Sequence, residues 1–194
     1  MLPILIIAGY LIGSLSSAIL VCKAFDLPDP RTQGSNNPGA TNVLRIGGKK
    51  AAAITLIGDG LKGVIPILIA RYLGADLLAM TLIVFASFLG HVYPIFFGFK
   101  GGKGVATFLG GLFALNYLVG LSFALIWVFV AKVLKISSLS ALIATLLTPV
   151  IFYFSSAKDL NATYVVILIC VWIFYTHRSN ITRMLSGDEG KIKS

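Results

Sequence analysis

The stretch that decides the fold is residues 105–131, VATFLGGLFALNYLVGLSFALIWVFVA, which contains no charged side chain. Crossing the hydrocarbon core of a bilayer takes about 20 apolar residues. The stretch is therefore either one tilted helix or two shorter helices that turn near Asn116. Other apolar stretches surround it in the sequence, at residues 2–22, 51–70, 77–97, 137–156 and 160–176. This pattern predicts an all-α, polytopic integral membrane helix bundle.

The composition supports a membrane protein over a soluble one. Hydrophobic residues make up 57% of the 194 residues and charged residues only 12%, whereas soluble domains carry about 25% charge. The net charge of +9 is interpreted as topogenic, because basic residues orient membrane loops toward the cytoplasm, and no nucleic acid is predicted as a partner. Cys22 and Cys170 lie at or inside apolar stretches and indicate neither a disulfide framework nor a metal cluster.

The distribution of basic residues predicts the topology. If residues 105–131 form two helices, the chain has seven transmembrane helices, with 13 basic residues on the inside and 2 on the outside. A single helix there would place 8 basic residues on one side of the membrane and 7 on the other. The positive-inside rule disfavours such an even distribution. We expect seven helices, with five as the alternative, an external N-terminus and a cytoplasmic C-terminus. Because no loop is long enough to bury its own core, residues 1–194 are predicted to form a single domain.

Two inner segments have the composition of anion-binding loops. Residues 34–45, GSNNPGATNVLR, combine turn residues that expose backbone N–H groups with Arg45, whose guanidinium suits phosphate oxygens. Residues 91–108, HVYPIFFGFKGGKGVATF, place glycines around Lys100 and Lys103 just before an apolar helix. The spacing departs from the nucleotide-binding G-x-x-x-x-G-K-[ST] motif, so a phosphate-sized anion is favoured over a nucleotide. The alternative for both segments is a solvated connector with topogenic charges.

Other polar residues stand out near or within the apolar stretches. His177 and Asn180 are three residues apart, so on a continuous helix they share a face, and histidine can transfer protons near neutral pH. The alternative is that His177 is only a polar residue at the membrane boundary. Asp59 and Lys62, also three apart, lie inside a predicted span. We interpret this pair as structural support, since neighbouring glycines permit close helix packing. The alternative is that Lys62 also contributes its charge to a bound phosphate.

Four segments taken together resemble the signatures of a bacterial family. They are GSLSSA (13–18), GSNNPGATNVLR (34–45), HVYPIFFGFKGGKGVAT (91–107) and HRSNITR (177–183). The family is PlsY, the membrane acyl-phosphate:glycerol-3-phosphate acyltransferases. The resemblance implies transfer of a fatty acyl group from acyl phosphate to the 1-hydroxyl of sn-glycerol 3-phosphate. The products would be lysophosphatidic acid and inorganic phosphate, in the first step of phospholipid biosynthesis.

The resemblance also implies the setting and the residues. We expect a monomer in the cytoplasmic (inner) membrane of a bacterium, in contact with membrane lipid, with its active site facing the cytoplasm and without a metal or other cofactor. The expected catalytic residues are Ser35, Arg45, His177 and Asn180. The expected ligands of the substrate phosphates are Gly34, Asn37, Gly39, Thr41, Asn42, Gly101, Gly102, Lys103 and Gly104.

Several alternatives stay open at this point. The proton acceptor is either His177 or a substrate phosphate, whose second pKa is roughly 6. Ser35 is expected to donate hydrogen bonds, and a covalent acyl-serine is the less favoured role because the donor is already activated. Asp188 and Glu189 are expected to lie in a solvated tail. The rival function is a transporter of a phosphorylated solute, although transporters are often built from internal repeats and none is visible here.

Overall fold

The computed structural model describes residues 1–192. Over these residues the chain is entirely helical, with a short 3₁₀ helix at Ile95–Phe97 and no strand, which confirms the all-α prediction. The α-helices are α1 (Leu2–Gly13), α2 (Ser17–Ala24), α3 (Ala40–Tyr72), α4 (Leu77–Val92), α5 (Val105–Leu115), α6 (Tyr117–Leu134), α7 (Ser137–Ser155), α8 (Leu160–Thr176) and α9 (Arg178–Leu185). Lys193, one of the 13 basic residues predicted inside, lies outside the described residues.

The described helices are long and apolar enough for several membrane crossings. Five segments meet this standard on their own: Leu2–Ala24, Ala40–Tyr72, Leu77–Phe97, Tyr117–Leu134 and Ser137–Ser155. A sixth is possible if α8 and α9, which meet at a bend of 55°, together form one span. Helix α5 is apolar but has only 11 residues. The count of seven transmembrane helices and the orientation of the chain stay predictions.

The long uncharged stretch is divided into two helices at Asn116, as in the second of the two alternatives. The reversal of the chain that seven membrane spans require there stays a prediction. Asn116 has an extended backbone, and its side-chain oxygen accepts a hydrogen bond from the Leu118 amide at 3.0 Å, so it caps α6. The Arg71 guanidinium donates to the carbonyls of Ala114 and Leu115 at the end of α5. A cation at a helix C-terminus satisfies carbonyls that lack partners within the helix.

The chain divides into two compact units, Met1–Leu115 and Asn116–Ser194, the second described to residue 192. In the first unit, glycines let helices approach until their backbones touch. A Cβ atom at Gly13 would collide with the Ser87 backbone, and one at Gly63 with the Thr107 carbonyl. Such small-residue contacts replace large apolar side chains in packed membrane helices. The single domain expected over residues 1–194 stays a prediction.

Helix α3 contains a kink at a glycine and, further along, a proline whose effect another helix compensates. Gly48, with φ of 77°, forms a kink between a short first helical part of α3 and its long remainder. Further along α3, Pro66 has no N–H, so the Lys62 carbonyl four residues earlier lacks its usual partner. The Ser87 hydroxyl on α4 donates to that carbonyl at 2.6 Å.

Candidate functional site

The loop that connects α2 and α3, residues 25–39, is organised by Asn42. This side chain is 1% exposed. Its oxygen accepts the Ser35 amide at 2.8 Å, and its nitrogen donates to the carbonyls of Pro30 and Gln33, each at 2.9 Å. Asn42 was predicted to bind phosphate, and the structure shows its amide holding the loop that presents Ser35.

The second loop, residues 98–104, lies directly against the first. Gly102 is enclosed so tightly that an added Cβ would collide with the His91 ring and lie 2.8 Å from the Pro38 carbonyl. From the first loop, Arg31 donates to the Phe97 carbonyl at 3.2 Å. The structure therefore brings together the two segments that the sequence singled out as anion-binding.

Arg31 is held in place by an ion pair with Asp29, with a nitrogen–oxygen distance of 2.7 Å. The hydrogen bond that Arg31 donates is the largest influence on that carboxyl and outweighs partial burial, so the pKa of Asp29 lies below its usual value. Asp29 is thus charged at neutral pH, and the link between the loops persists there.

Each loop leads into a helix N-terminus. Gly39 caps α3, and Gly104, with φ of 85°, directly precedes α5. The first N–H groups of a helix lack partners within the helix and form its positive end, which favours a bound anion. Thr41 and Arg45 are four residues apart on α3 and share a face. Arg45 is exposed, and Lys103 is half-buried in the second loop.

The remaining predicted site residues of the first unit lie in the same two loops, except Thr41, which lies in the first turn of α3. Ser35 and Thr41 are exposed. Exposed or half-buried positions are also taken by Gly34, Asn37, Gly39 and Gly101, while Gly102 and Gly104 are buried. This arrangement offers the first N–H groups of α3 and α5 and two cations to a phosphate-sized anion. The individual contacts with a substrate stay predictions.

Beneath the second loop lies a buried ionic cluster in the first unit. Lys62 Nζ is 2.9 Å from Asp59 Oδ1, as expected for the predicted pair, and both side chains are at most 4% exposed. His91 Nδ1 lies 3.6 Å from the same oxygen. Sequence reasoning missed His91 as the third member, because it comes from another helix. Among residues 1–192 no group of three or more His, Cys, Asp and Glu side chains is placed to hold a metal ion.

In the second unit, His177 stands at the bend between α8 and α9 and is 3% exposed. Its Nδ1 is 2.8 Å from the Ile173 carbonyl. A carbonyl oxygen only accepts, so Nδ1 carries the proton and Nε2 of the neutral ring is left with its lone pair. The ring is therefore in the tautomer that a proton acceptor at Nε2 requires.

The Asn180 side chain, on α9, is held by Glu189, a residue that the sequence analysis placed in a solvated tail. Glu189 accepts hydrogen bonds from Asn180 Nδ2 and Ser138 Oγ, each at 2.6 Å, and from Arg183 Nε at 2.8 Å. The Glu189 side chain is only 8% exposed, so the expectation of a solvated position is wrong for this residue. Asp188 is exposed, as expected.

Glu189 is buried because a turn follows α9. Gly187, with φ of 81°, reverses the chain, and the Ile192 amide then donates to the Lys135 carbonyl. These contacts tie the segment to the second unit. A glycine followed by two acids after a basic helix was the available signal, but it identifies neither which acid is buried nor its partners.

Glu189 is expected to stabilise the second unit in a pH-dependent way. Burial would raise its pKa, but the hydrogen bonds from Ser138, Asn180 and Arg183, with the charge of Arg183, together lower the pKa below 4.5. Its contribution is therefore complete above pH 4.5 and is lost as the pH falls through the lower folded-state pKa. Glu189→Gln should lower the apparent Tm at pH 7 by about 5 °C, and this difference should shrink below about pH 4.

Thermal unfolding in detergent between pH 3.5 and pH 7 measures the difference. Asp188→Asn removes a neighbouring acid that is exposed, and it should leave the apparent Tm nearly unchanged throughout. A Tm difference for Glu189→Gln that stayed constant with pH would show that the charge of the carboxylate is not what stabilises the network.

Comparison with known proteins gives one consistent family. The sequence model of the family "Glycerol-3-phosphate acyltransferase" matches residues 3–187. A glycerol-3-phosphate acyltransferase of Ruthia magnifica subsp. Calyptogena magnifica is 71% identical over 97% of this chain and 95% of its own length. One from Hydrogenovibrio crunogenus is 56% identical over 96% of this chain and 90% of its own length.

Solved structures agree with the sequence relatives. The crystal structure of PlsY (YgiH), an integral membrane glycerol 3-phosphate acyltransferase, in its glycerol 3-phosphate form has a TM-score of 0.93 and 40% identity, covering 99% of this chain and 96% of the other. The lysophosphatidic acid form gives a TM-score of 0.90 and 39% identity, with coverage of 99% and 95%. The resemblance drawn from the four motifs is thus confirmed. This chain belongs to the glycerol-3-phosphate acyltransferase family and is a multi-pass integral membrane enzyme.

Proposed function

We propose that the enzyme transfers a fatty acyl group from acyl phosphate to the 1-hydroxyl of sn-glycerol 3-phosphate, which yields 1-acylglycerol 3-phosphate and inorganic phosphate. The observation that carries the proposal is the contact between two glycine-rich loops, each leading into a helix N-terminus, with Arg45 and Lys103 beside them. Both substrates carry a phosphate, and the chain has two such loops. PlsY structures solved in glycerol 3-phosphate and lysophosphatidic acid forms support this acceptor and product.

The chemistry needs little beyond positioning and charge stabilisation. Acyl phosphate is a mixed anhydride, so it is already activated. The 1-hydroxyl oxygen attacks the acyl carbon and forms the ester bond while the bond from that carbon to the phosphate oxygen breaks. The hydroxyl proton passes either to Nε2 of His177 or to the departing phosphate. Donors and cations around the loops stabilise the charge that develops on the phosphate.

Residue roles follow the motifs and the geometry. The loop that contains Gly101, Gly102 and Gly104 holds the phosphate of glycerol 3-phosphate at the N-terminus of α5, with Lys103 as its counter-charge. The Gly101 and Gly102 amides themselves donate to backbone carbonyls at the end of α4. Ser35 and Arg45 bind a phosphate or the developing oxyanion, and Asn42 keeps Ser35 in place. His177 and Asn180 are the remaining catalytic residues that the third motif supplies.

The setting is proposed as the cytoplasmic membrane of a bacterium. The N-terminus faces outward and the C-terminus inward, as the distribution of basic residues favours. Both substrates then meet at the cytoplasmic surface, where the acyl chain remains among lipid-facing helices. The enzyme acts as a monomer without a nucleic-acid partner.

Turnover by purified protein tests the proposal. With palmitoyl phosphate and glycerol 3-phosphate, and without nucleotide or metal, phosphate and acylated product should form in equal amounts. Arg45→Ala should lower kcat/KM about 100-fold, because it removes a charged donor to a phosphate. Lys49→Ala removes an exposed cation from the same helix and should leave the rate within about twofold.

The rival transporter gives a different result. Phosphate release without acylated product would mean hydrolysis, and no turnover with any acyl donor would overturn the acyltransferase. Flux of glycerol 3-phosphate across vesicles, abolished by Asp59→Asn, would then favour transport. The family membership does not favour that outcome.

A further inference from the structure

We propose that His91 is a positioning residue, held by the buried Asp59–Lys62 ion pair, which sets the conformation of the second loop for glycerol 3-phosphate. The inference rests on the proposed phosphate-binding role of residues 101–104. It assigns a function to a buried ionic cluster that the proposed reaction does not itself use.

His91 supports the loop through both its backbone and its ring. Its carbonyl accepts the Gly102 amide at 3.2 Å, and the next carbonyl, of Val92, accepts the Gly101 amide at 3.2 Å. The ring lies so close to Gly102 that an added Cβ there would collide with Nε2. The loop thus packs against the end of α4, and the imidazole fills the space directly under Gly102.

The opposite edge of the ring faces the ion pair. Asp59 Oδ1 lies between His91 Nδ1, at 3.6 Å, and Lys62 Nζ, at 2.9 Å. The three side chains are 1% to 6% exposed. Ionisable groups inside a helix bundle are costly and are retained when they pair or serve a function.

Backbone contacts hold the ion pair in turn. Lys62 Nζ donates to the Leu15 carbonyl at 2.9 Å, which lies in the break between α1 and α2. Ser87 on α4 donates to the carbonyl that Pro66 leaves unpaired. Lys62 is therefore held through both its ammonium group and its backbone carbonyl, and its ammonium in turn positions the Asp59 carboxylate beside His91.

The geometry assigns structural support to the ion pair and a positioning role to His91. Asp59 and Lys62 neutralise each other, so they can tie the helices together without a histidine. His91 is the member that connects this pair to the loop. Removing its ring should leave the ion pair intact and loosen the loop.

Two amide variants distinguish the two edges of the ring. The side-chain nitrogen of asparagine can take the place of Nδ1 beside Asp59, but asparagine leaves the space under Gly102 empty. Glutamine can place its amide where Nε2 lies. We expect His91→Asn to raise KM for glycerol 3-phosphate at least tenfold with kcat within about threefold, and His91→Gln to keep KM within about threefold of the unsubstituted enzyme.

Trypsin cleavage gives a readout that is independent of turnover. Cleavage after Lys100 and Lys103 should be at least threefold faster in His91→Asn than in the unsubstituted protein, while cleavage after Lys49 and Lys50 should be unchanged. An unchanged KM and unchanged loop cleavage, with a lower Tm, would reduce His91 to structural support and overturn the proposal.

Different results would contradict the proposed acyltransferase function and the proposed positioning role of His91. If the unsubstituted enzyme makes no acylated product, the proposed function fails, and the cleavage comparison still decides whether His91 orders the loop. If that enzyme is active but both His91 variants keep its KM and cleavage pattern, only the positioning role fails. Should His91→Asn not fold, a His91→Gln enzyme that folds but shows a tenfold higher KM would contradict the assignment of Nε2 as the supporting edge.

Discussion

Asn42→Asp is expected to lower kcat/KM about 1,000-fold in the assay with palmitoyl phosphate and glycerol 3-phosphate. Aspartate has the same shape as asparagine, but it cannot donate to the carbonyls of Pro30 and Gln33. The variant instead places a carboxylate beside two carbonyl oxygens at a position that is 1% exposed.

The expected loss in kcat/KM follows from the number of buried polar groups that lose their hydrogen-bond partners. Each buried polar group that loses its partner costs about 1–3 kcal/mol, and burying an unpaired charge costs more. A 1,000-fold loss corresponds to about 4 kcal/mol. Because the loop would rearrange to avoid this cost, Ser35 would leave the position in which Asn42 holds it.

Asn36→Asp is the charge-matched control. Asn36 is exposed in the same loop and has a left-handed backbone, with φ of 56°, which aspartate also tolerates. We expect its kcat/KM to fall less than about fivefold. Equal losses in the two variants would show that added negative charge repels the substrates, and would contradict a role for Asn42 in organising the loop.

Gly63→Ala is expected to lower the free energy of unfolding by about 3 kcal/mol, because α3 and α5 touch at this position. A Cβ atom there would collide with the Thr107 carbonyl oxygen and lie 2.9 Å from the Gly111 nitrogen. Backbone atoms of a packed helix cannot move aside as a flexible side chain can, so the helices must separate. In a chain of this size, that corresponds to an apparent Tm about 10 °C lower.

Gly60→Ala, one helical turn earlier on α3, is the matched control. The nearest atom to a Cβ there is the Ala106 carbonyl oxygen at 4.0 Å, an ordinary contact distance. Alanine favours a helix over glycine by about 1 kcal/mol, so the apparent Tm should be unchanged or slightly higher. Thermal unfolding of both variants in one detergent measures the difference. Similar Tm values for the two would mean that close packing at Gly63 does not limit stability.

Local features of the sequence predicted several elements accurately. The helix break at Asn116 lies within an uncharged stretch too long for one straight crossing, and asparagine is a common N-cap. The Asp59–Lys62 pair follows from helical spacing, since residues three apart share a face. The loop motifs were recognisable because glycine, asparagine and proline mark turns wherever they occur.

Features that depend on distant residues were missed or misplaced. Glu189 was assigned to a solvated tail, yet it binds Ser138, which is 51 residues away in the sequence. His91 joins Asp59 across two helices, and Gly102 meets Pro38 across the two loops. In each case the two partners are far apart in the sequence, so nothing near either residue indicates the contact.

The sequence by itself therefore determined the class of protein, the helical segments and the family, because hydropathy, helical spacing and motif order are properties of the chain in one dimension. The tertiary structure alone decided which loop atoms meet, that Asn42 holds the first loop, that His91 supports the second and that Glu189 restrains Asn180. These are outcomes of packing, in which glycine contacts set the distances between helices and buried polar groups must find partners wherever the fold places them.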